Sequence, residues 1–217
     1  MRSDPIDLAR LVTREVRNAE RDGTPTKVVV ARRSYPTDPS DLWDAVTNQE
    51  RLPRWFAPVS GDLELGGRFQ VQGNAGGVVE RCEEPTLFAI TWEFDGGLSW
   101  VTVSLTPDGA HTVLELVHEA PVDPDSGFYD QFGPGAVGVG WDLSLMGLGL
   151  HLDSGEAVDP AAAEAWSLSP DGTAFVTEAA QGWAAGAVAA GDPPEAARAA
   201  GERTIAFYTT DPTAGAE

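Results

Sequence analysis

The order of sequence signals predicts an α+β protein: a curved antiparallel sheet of about seven strands around one long helix, preceded by an N-terminal helix and followed by a helical C-terminal extension. Three observations carry this expectation. From residue 62 to 118 short apolar runs alternate with Gly, Pro and Asp-Gly turn signals, the mark of consecutive hairpins. Residues 136–152 are apolar almost all round, as in a helix buried on more than one side. Beyond Asp153 the composition turns Ala-rich with acidic punctuation, which suits further helices.

Taken in order, residues 6–21 place Ile6, Leu8, Leu11, Val12 and Val16 on an approximate helical stripe, and Asp4-Pro5 suits an N-cap followed by the first helical position. Asp22-Gly23-Thr24-Pro25 ends that helix, and the β-branched run 27–35 reads as a strand. Short helices are expected at 42–46, after Pro39-Ser40-Asp41, and at 49–56, stopped by Pro58. Strands follow at 62–65, 68–72, 78–83, 87–94, 98–106 and 111–118. Alternation puts Phe88, Ile90, Trp92 and Phe94 on one face, and does the same for Val101, Val103 and Leu105 and for Leu114, Leu116 and His118. A polar loop, 121–131, leads into the long helix. That helix carries one large stripe (Trp141, Leu145, Leu148, Leu152) and one small or polar stripe (Gly140, Ser144, Gly147, His151), the latter read as a seat for the C-terminal helices rather than a cavity roof. Helices at 160–166, 170–190 and 194–208 complete the chain, the last two separated by Gly-Asp-Pro-Pro at 191–194. The expected division is 1–26 as an N-terminal extension, 27–153 as the main domain and 154–217 as a helical extension packing on it.

Charge excludes whole classes of partner. The 217 residues hold 14 basic and 34 acidic side chains, a formal charge of −20, and no Lys or Arg lies between Arg81 and Arg198. Nucleic-acid binding needs cations to displace phosphate counterions, and anionic membranes need them too, so both are excluded as partners. The single cysteine, Cys82, rules out an intramolecular disulfide and thiolate-rich zinc sites. The N-terminus is polar from the start, so no secretory leader is expected and the cytoplasm is the expected compartment. The apolar run 132–152 is long enough to span a bilayer but holds Asp142 near its middle and lacks flanking basic anchors, so it is not read as a span.

Familiar catalytic patterns fail on context. Gly133-Pro134-Gly135-Ala136-Val137-Gly138 matches G-x-G-x-x-G, yet a polar loop rather than a strand precedes it, so no dinucleotide cofactor is expected. His118-Glu119 opens like H-E-x-x-H, but Val122 stands where the second His belongs. No G-x-S-x-G elbow exists. Asp123, Asp125 and Asp130 lack calcium-loop spacing and read as a solvated acidic loop, so neither a metal nor a cofactor is expected.

The segment Asn48-Gln49-Glu50-Arg51-Leu52-Pro53-Arg54-Trp55-Phe56-Ala57-Pro58 resembles the helix signature of the SRPBCC (START-like, helix-grip) superfamily, in the branch named after activators of the heat-shock chaperone ATPase. Asp62-Leu63-Glu64-Leu65-Gly66-Gly67-Arg68-Phe69, Thr91-Trp92-Glu93 and Gly140-Trp141 follow in the order and spacing of that branch. The resemblance covers about residues 27–153 and implies a helix-grip fold. It leaves the activity open, because the superfamily includes ligand carriers, polyketide aromatase/cyclases, self-resistance proteins and chaperone regulators.

A curved sheet gripping a helix leaves a cavity between its layers. Trp55, Phe69, Trp92, Trp141 and Leu145 are the expected ligand-binding residues, Trp100 lies on another element of the wall, and seven tryptophans in all is a large supply of apolar area. His118 and Glu80 are the candidate proton movers, and they too are placed among the ligand-binding residues. His118 continues the Leu114/Leu116 face, and Glu80 would have a raised pKa if its face, shared with Val78 and Cys82, turned inward. The expected function is binding of a small apolar or aromatic molecule, in secondary metabolism or self-resistance. It is expected to be neutral or cationic, since an anion entering by the Asp123–Asp130 loop meets no compensating cation. A polyketide-type cyclase/aromatase and a chaperone-interacting module are the alternatives, and the sequence leaves both enzymatic turnover and oligomeric state open.

Overall fold

The computed structural model describes residues 4–122 and 127–210; Asp123 and Asp125 lie outside them. Eight strands form one antiparallel sheet in the order β1-β2-β8-β7-β6-β5-β4-β3. Their bounds are β1 Thr13–Arg21, β2 Thr24–Tyr35, β3 Val59–Gly61, β4 Arg68–Val71, β5 Gly76–Glu83, β6 Leu87–Phe94, β7 Gly97–Asp108 and β8 His111–Pro121. The helices are α1 Pro5–Arg10, α2 Pro39–Thr47, α3 Phe128–Phe132, α4 Gly135–Ser154, α5 Pro160–Ser167, α6 Pro170–Ala189 and α7 Pro194–Thr209.

The helix expected over 6–21 stops at Arg10, and Thr13–Arg21 is an edge strand instead. Asp22 (φ 51°) and Gly23 (φ 81°) form a two-residue turn with both central residues left-handed, which matches the twist of a hairpin and joins β1 to β2. On the outer face of this hairpin Glu15 takes bonds from Arg17 and Arg32, and Arg32 reaches on to Glu115 of β8, a ladder available only to strands. Val16, on the inner face, is buried.

Two further expectations are corrected. Residues 62–65 are not a strand; β3 lies earlier, at Val59–Gly61, and 62–67 is a loop tied back to β5 by Gly66 N–H to the Val79 carbonyl (2.8 Å) and Val79 N–H to the Gly67 carbonyl (3.0 Å). The segment 49–56 supplies only a single 3-10 turn, Leu52–Arg54. Several helices share one starting device: Asp4, Asp38, Asp159 and Ser169 each accept a backbone N–H at the N-cap, with Pro in the next position.

The long helix α4 is covered on both sides. One side faces the sheet; the other carries α6, whose Phe175, Val176, Ala179, Ala180 and Trp183 are buried. At Gly138 the absence of a side chain is what lets the Trp183 ring lie against the helix backbone. The stripe read as a seat for the C-terminal helices is divided: Gly140 faces the Tyr208 hydroxyl of α7, but Gly147 meets the Trp55 carbonyl, where a Cβ would lie at 2.8 Å, Ser144 faces the interior cavity and His151 accepts a bond from Arg51. Buried Asp142 ties the layers together, its Oδ2 accepting from Arg14 Nε of β1 (3.0 Å) and Trp183 Nε1 of α6 (2.8 Å).

Candidate functional site

Between the concave face of the sheet and the cavity side of α4 lies a cavity of about 530 Å³. That volume is in the range of small-molecule pockets. Its floor is the inward alternation of the central strands: Phe88, Ile90 and Trp92 of β6, Val101 and Val103 of β7, Leu114 and Leu116 of β8. Its roof is Trp141, Ser144, Leu145 and Leu148, one face of α4. The end wall comes from Trp43, Val46 and Thr47 on α2 and from Trp55 and Phe56 after the 3-10 turn. Trp55 is held by its indole N–H on the Ala45 carbonyl (2.8 Å), which fixes the ring against α2. Trp92 and Trp141 meet with ring centroids 5.3 Å apart, and Phe56 stacks on Trp141 at 6.5 Å with an interplanar angle of 15°. The result is a continuous aromatic wall.

The structure brings five of the expected binding residues to this cavity: Trp55, Phe69, Trp92, Trp141 and Leu145. His118 and Glu80 do not line it. Buried His118 lies behind the Trp92–Trp141 pair. Trp141 Nε1–H donates to His118 Nδ1 (3.0 Å), so the proton of the neutral ring belongs on Nε2, which donates to Ser99 Oγ (2.8 Å). Ser99 in turn donates to the Trp92 carbonyl (3.2 Å). Burial pushes the His118 pKa down to about 4, so the ring stays neutral at pH 7. Both ring nitrogens are occupied by protein partners, and the ring acts as a fixed acceptor that orients Trp141.

Glu80 is exposed because of a β-bulge. Val79 pairs with Ile90 and Arg81 with Ala89, leaving Glu80 as the extra residue. The same bulge turns both Val79 and Cys82 toward the cavity, which strict alternation forbids. Trp100 is on the outer face of β7, with the Arg21 guanidinium 4.2 Å from its ring centroid, and takes no part in the wall. Asp130 is on α3, away from the cavity lining, and no cluster of three His, Cys, Asp or Glu able to hold a metal occurs among the described residues.

Residues that sequence reasoning missed are at the mouth. Glu64, Leu65, Cys82 and Glu84 line the cavity while remaining exposed, so the opening lies between the β3–β4 loop and the β5–β6 turn. The segment 127–131, expected as part of a loop, is Gly127 and most of α3, and it contributes nothing to the lining. Trp43 and Phe88, which meet edge-on at 6.0 Å, were also missed, although Phe88 shares the face of Trp92 that alternation had marked.

The model of the activator of Hsp90 ATPase homolog 1-like family matches residues 36–153, from the end of β2 to the end of α4, and so encloses the whole cavity. The chain belongs to that family. Membership of the activator of Hsp90 ATPase homolog 1-like family agrees with solved structures. The solution structure of CalU16 from Micromonospora echinospora is similar at a TM-score of 0.69 and 30% identity, covering 82% of this chain and 96% of CalU16. The crystal structure of CalU16 gives 0.63 and 29%, over 81% and 97%. DynU16, a protein of the dynemicin biosynthetic locus, shares the fold at a TM-score of 0.52 and 24% identity, over 60% of this chain and 48% of its own. No curated protein matches the chain. Because the CalU16 likeness spans about four-fifths of this chain, it extends beyond the 118-residue family segment into the flanking elements. No helix among the described residues is long and apolar enough to cross a membrane.

Proposed function

We propose that this family member binds a small, largely apolar or aromatic molecule, neutral or cationic, in the cavity between sheet and α4. The observation that carries the reading is the wall itself: about 530 Å³ bounded by Trp43, Trp55, Phe56, Trp92 and Trp141 with aliphatic side chains between them. Such a wall offers large apolar contact area at low conformational cost. Binding is favoured over turnover because neither proposed proton mover reaches the space: His118 is held by Trp141 and Ser99, and Glu80 is on the outer surface. A chaperone partner, suggested by the family's name, is the rival reading.

The test uses the neutral, environment-sensitive dye Nile red. Micromolar binding with quenching of the cavity tryptophans is expected, and Ser144→Phe, which projects a ring from α4 into the space, is expected to abolish it while the circular dichroism spectrum stays unchanged. Dye binding that survives Ser144→Phe in a folded protein refutes the cavity as the site. Stable co-purification with Hsp90, together with no dye binding, favours the rival.

A further inference from the structure

Charge at the mouth adds a constraint on the ligand, resting on the cavity reading above. Among the described residues, only two that line the cavity carry a formal charge, Glu64 and Glu84; both are acidic, and no described Lys or Arg lines the space. Neither carboxylate makes an ion pair or a side-chain hydrogen bond among the described residues. The cations adjacent in sequence to lining residues are held elsewhere: Arg81 by Glu83 (2.7 Å), Arg68 by Glu93 (2.7 Å), Arg51 by Asp41 and Asp44 (2.7 and 3.0 Å), and Arg54 by the Gly155 carbonyl (2.6 Å). Behind this rim the wall is aromatic, and the indole N–H groups of Trp55 and Trp141 are both used internally, on the Ala45 carbonyl and on His118. With those donors used, the two rings offer an anion no indole N–H, and their π faces attract a cation.

We infer that the ligand of this cavity carries a protonated amine, held at the mouth by Glu64 and Glu84, with its apolar body lying inward against Trp55, Trp92 and Trp141. The acidic rim selects the charge and the aromatic wall supplies the area. The two roles separate experimentally, because the rim carboxylates are exposed and their neutralisation leaves the core untouched.

Three probes with one aromatic body separate the alternatives: 2-(1-naphthyl)ethylamine as the cation, 2-(1-naphthyl)ethanol as the neutral isostere, and 1-naphthylacetate as the anion. Titration calorimetry at 150 mM salt limits the contribution of distant charges, since screening acts over roughly 8 Å. The amine is expected to bind about fivefold more tightly than the alcohol, the size of effect that two solvent-exposed carboxylates provide together, and the anion more weakly than either. In the Glu64→Gln/Glu84→Gln double variant the amine's advantage is expected to disappear while the alcohol's affinity holds. Equal binding of amine and alcohol, tighter binding of the anion, or an amine preference that persists in the double variant overturns the inference. Failure of the alcohol to bind, or its insensitivity to Ser144→Phe, overturns the cavity reading itself and is distinguishable from those outcomes.

Discussion

Replacing His118 with Leu tests whether the ring is a structural acceptor held neutral by burial. The substitution continues the Leu114/Leu116 face but removes the acceptor for Trp141 Nε1–H and the donor to Ser99. Leaving such a group without a partner costs about 1–3 kcal/mol at pH 7. The pH dependence is more diagnostic. His118 is pushed down to about 4 by burial, whereas in the unfolded chain it titrates near its ordinary 6.5. Below pH 6.5 the unfolded state therefore gains a proton that the folded state refuses. The stability contributed by the neutral ring is present above pH 6.5 and is lost as the pH falls through that value toward 4. Over this window the loss is about 3 kcal/mol, at about 1.4 kcal/mol per pKa unit. The Leu variant lacks the titration, so its deficit should shrink on acidification and cross to a surplus near pH 4. Urea unfolding of both proteins at pH 7, 5.5 and 4, followed by tryptophan fluorescence, measures the difference directly. Parallel stability curves at all three pH values would refute the assignment.

Asp142 supplies the opposite sign. Burial pushes its carboxyl up to about 6 against the pull of Arg14, so its contribution is present below about pH 4 and is lost as the pH rises through 6. Asp142→Asn should therefore leave a protein whose thermal midpoint falls more steeply than wild type between pH 6 and 4, and identical slopes would exclude this. At Gly138 an added Cβ meets the Trp183 ring, so Gly138→Ala is expected to destabilise by about 1–3 kcal/mol through overpacking. Chemical denaturation checks it, and the loss should shrink in a Trp183→Leu background.

Alternation made much of the cavity floor legible in advance. Phe88, Ile90 and Trp92, Val101 and Val103, and Leu114 and Leu116 all face inward as their period of two requires, and the same rule turns Trp100 outward beside Val101. What escaped depended on single residues that interrupt a period. The bulge at Glu80 has no signature in Val78–Glu83, yet it decides that Cys82 faces the cavity and Glu80 does not. At the N-terminus Leu8, Leu11, Val12 and Val16 fit a helical stripe, and the stripe alone does not distinguish a long helix from a short one followed by a strand. Asp22-Gly23 is the discriminating pair, because a left-handed two-residue turn joins strands. His118 was legible as inward-facing. Its partner Trp141, 23 residues away on another layer, was not, and that partner changes the ring from a candidate catalyst into a support.

The composition of α4 follows from its having no solvent face over most of its length. Successive residues of one turn serve different layers: Trp141 enters the cavity wall and bonds to His118 beneath it, while Asp142 faces the opposite way and binds Arg14 and Trp183. A helix packed this way cannot keep one polar side, which is why its apolar character runs all round. Glycine at 138 and 147 then admits a tryptophan ring on one side and the Trp55 backbone on the other. The adjacency has an energetic consequence. A rotation or shift of α4 that altered the cavity roof at Trp141 would also displace the Asp142 carboxylate from two charged or polar partners in a buried setting, where an unpaired group is penalised heavily. The β1 hairpin and α6 thereby hold the roof from behind, through the bonds of Arg14 and Trp183 to Asp142.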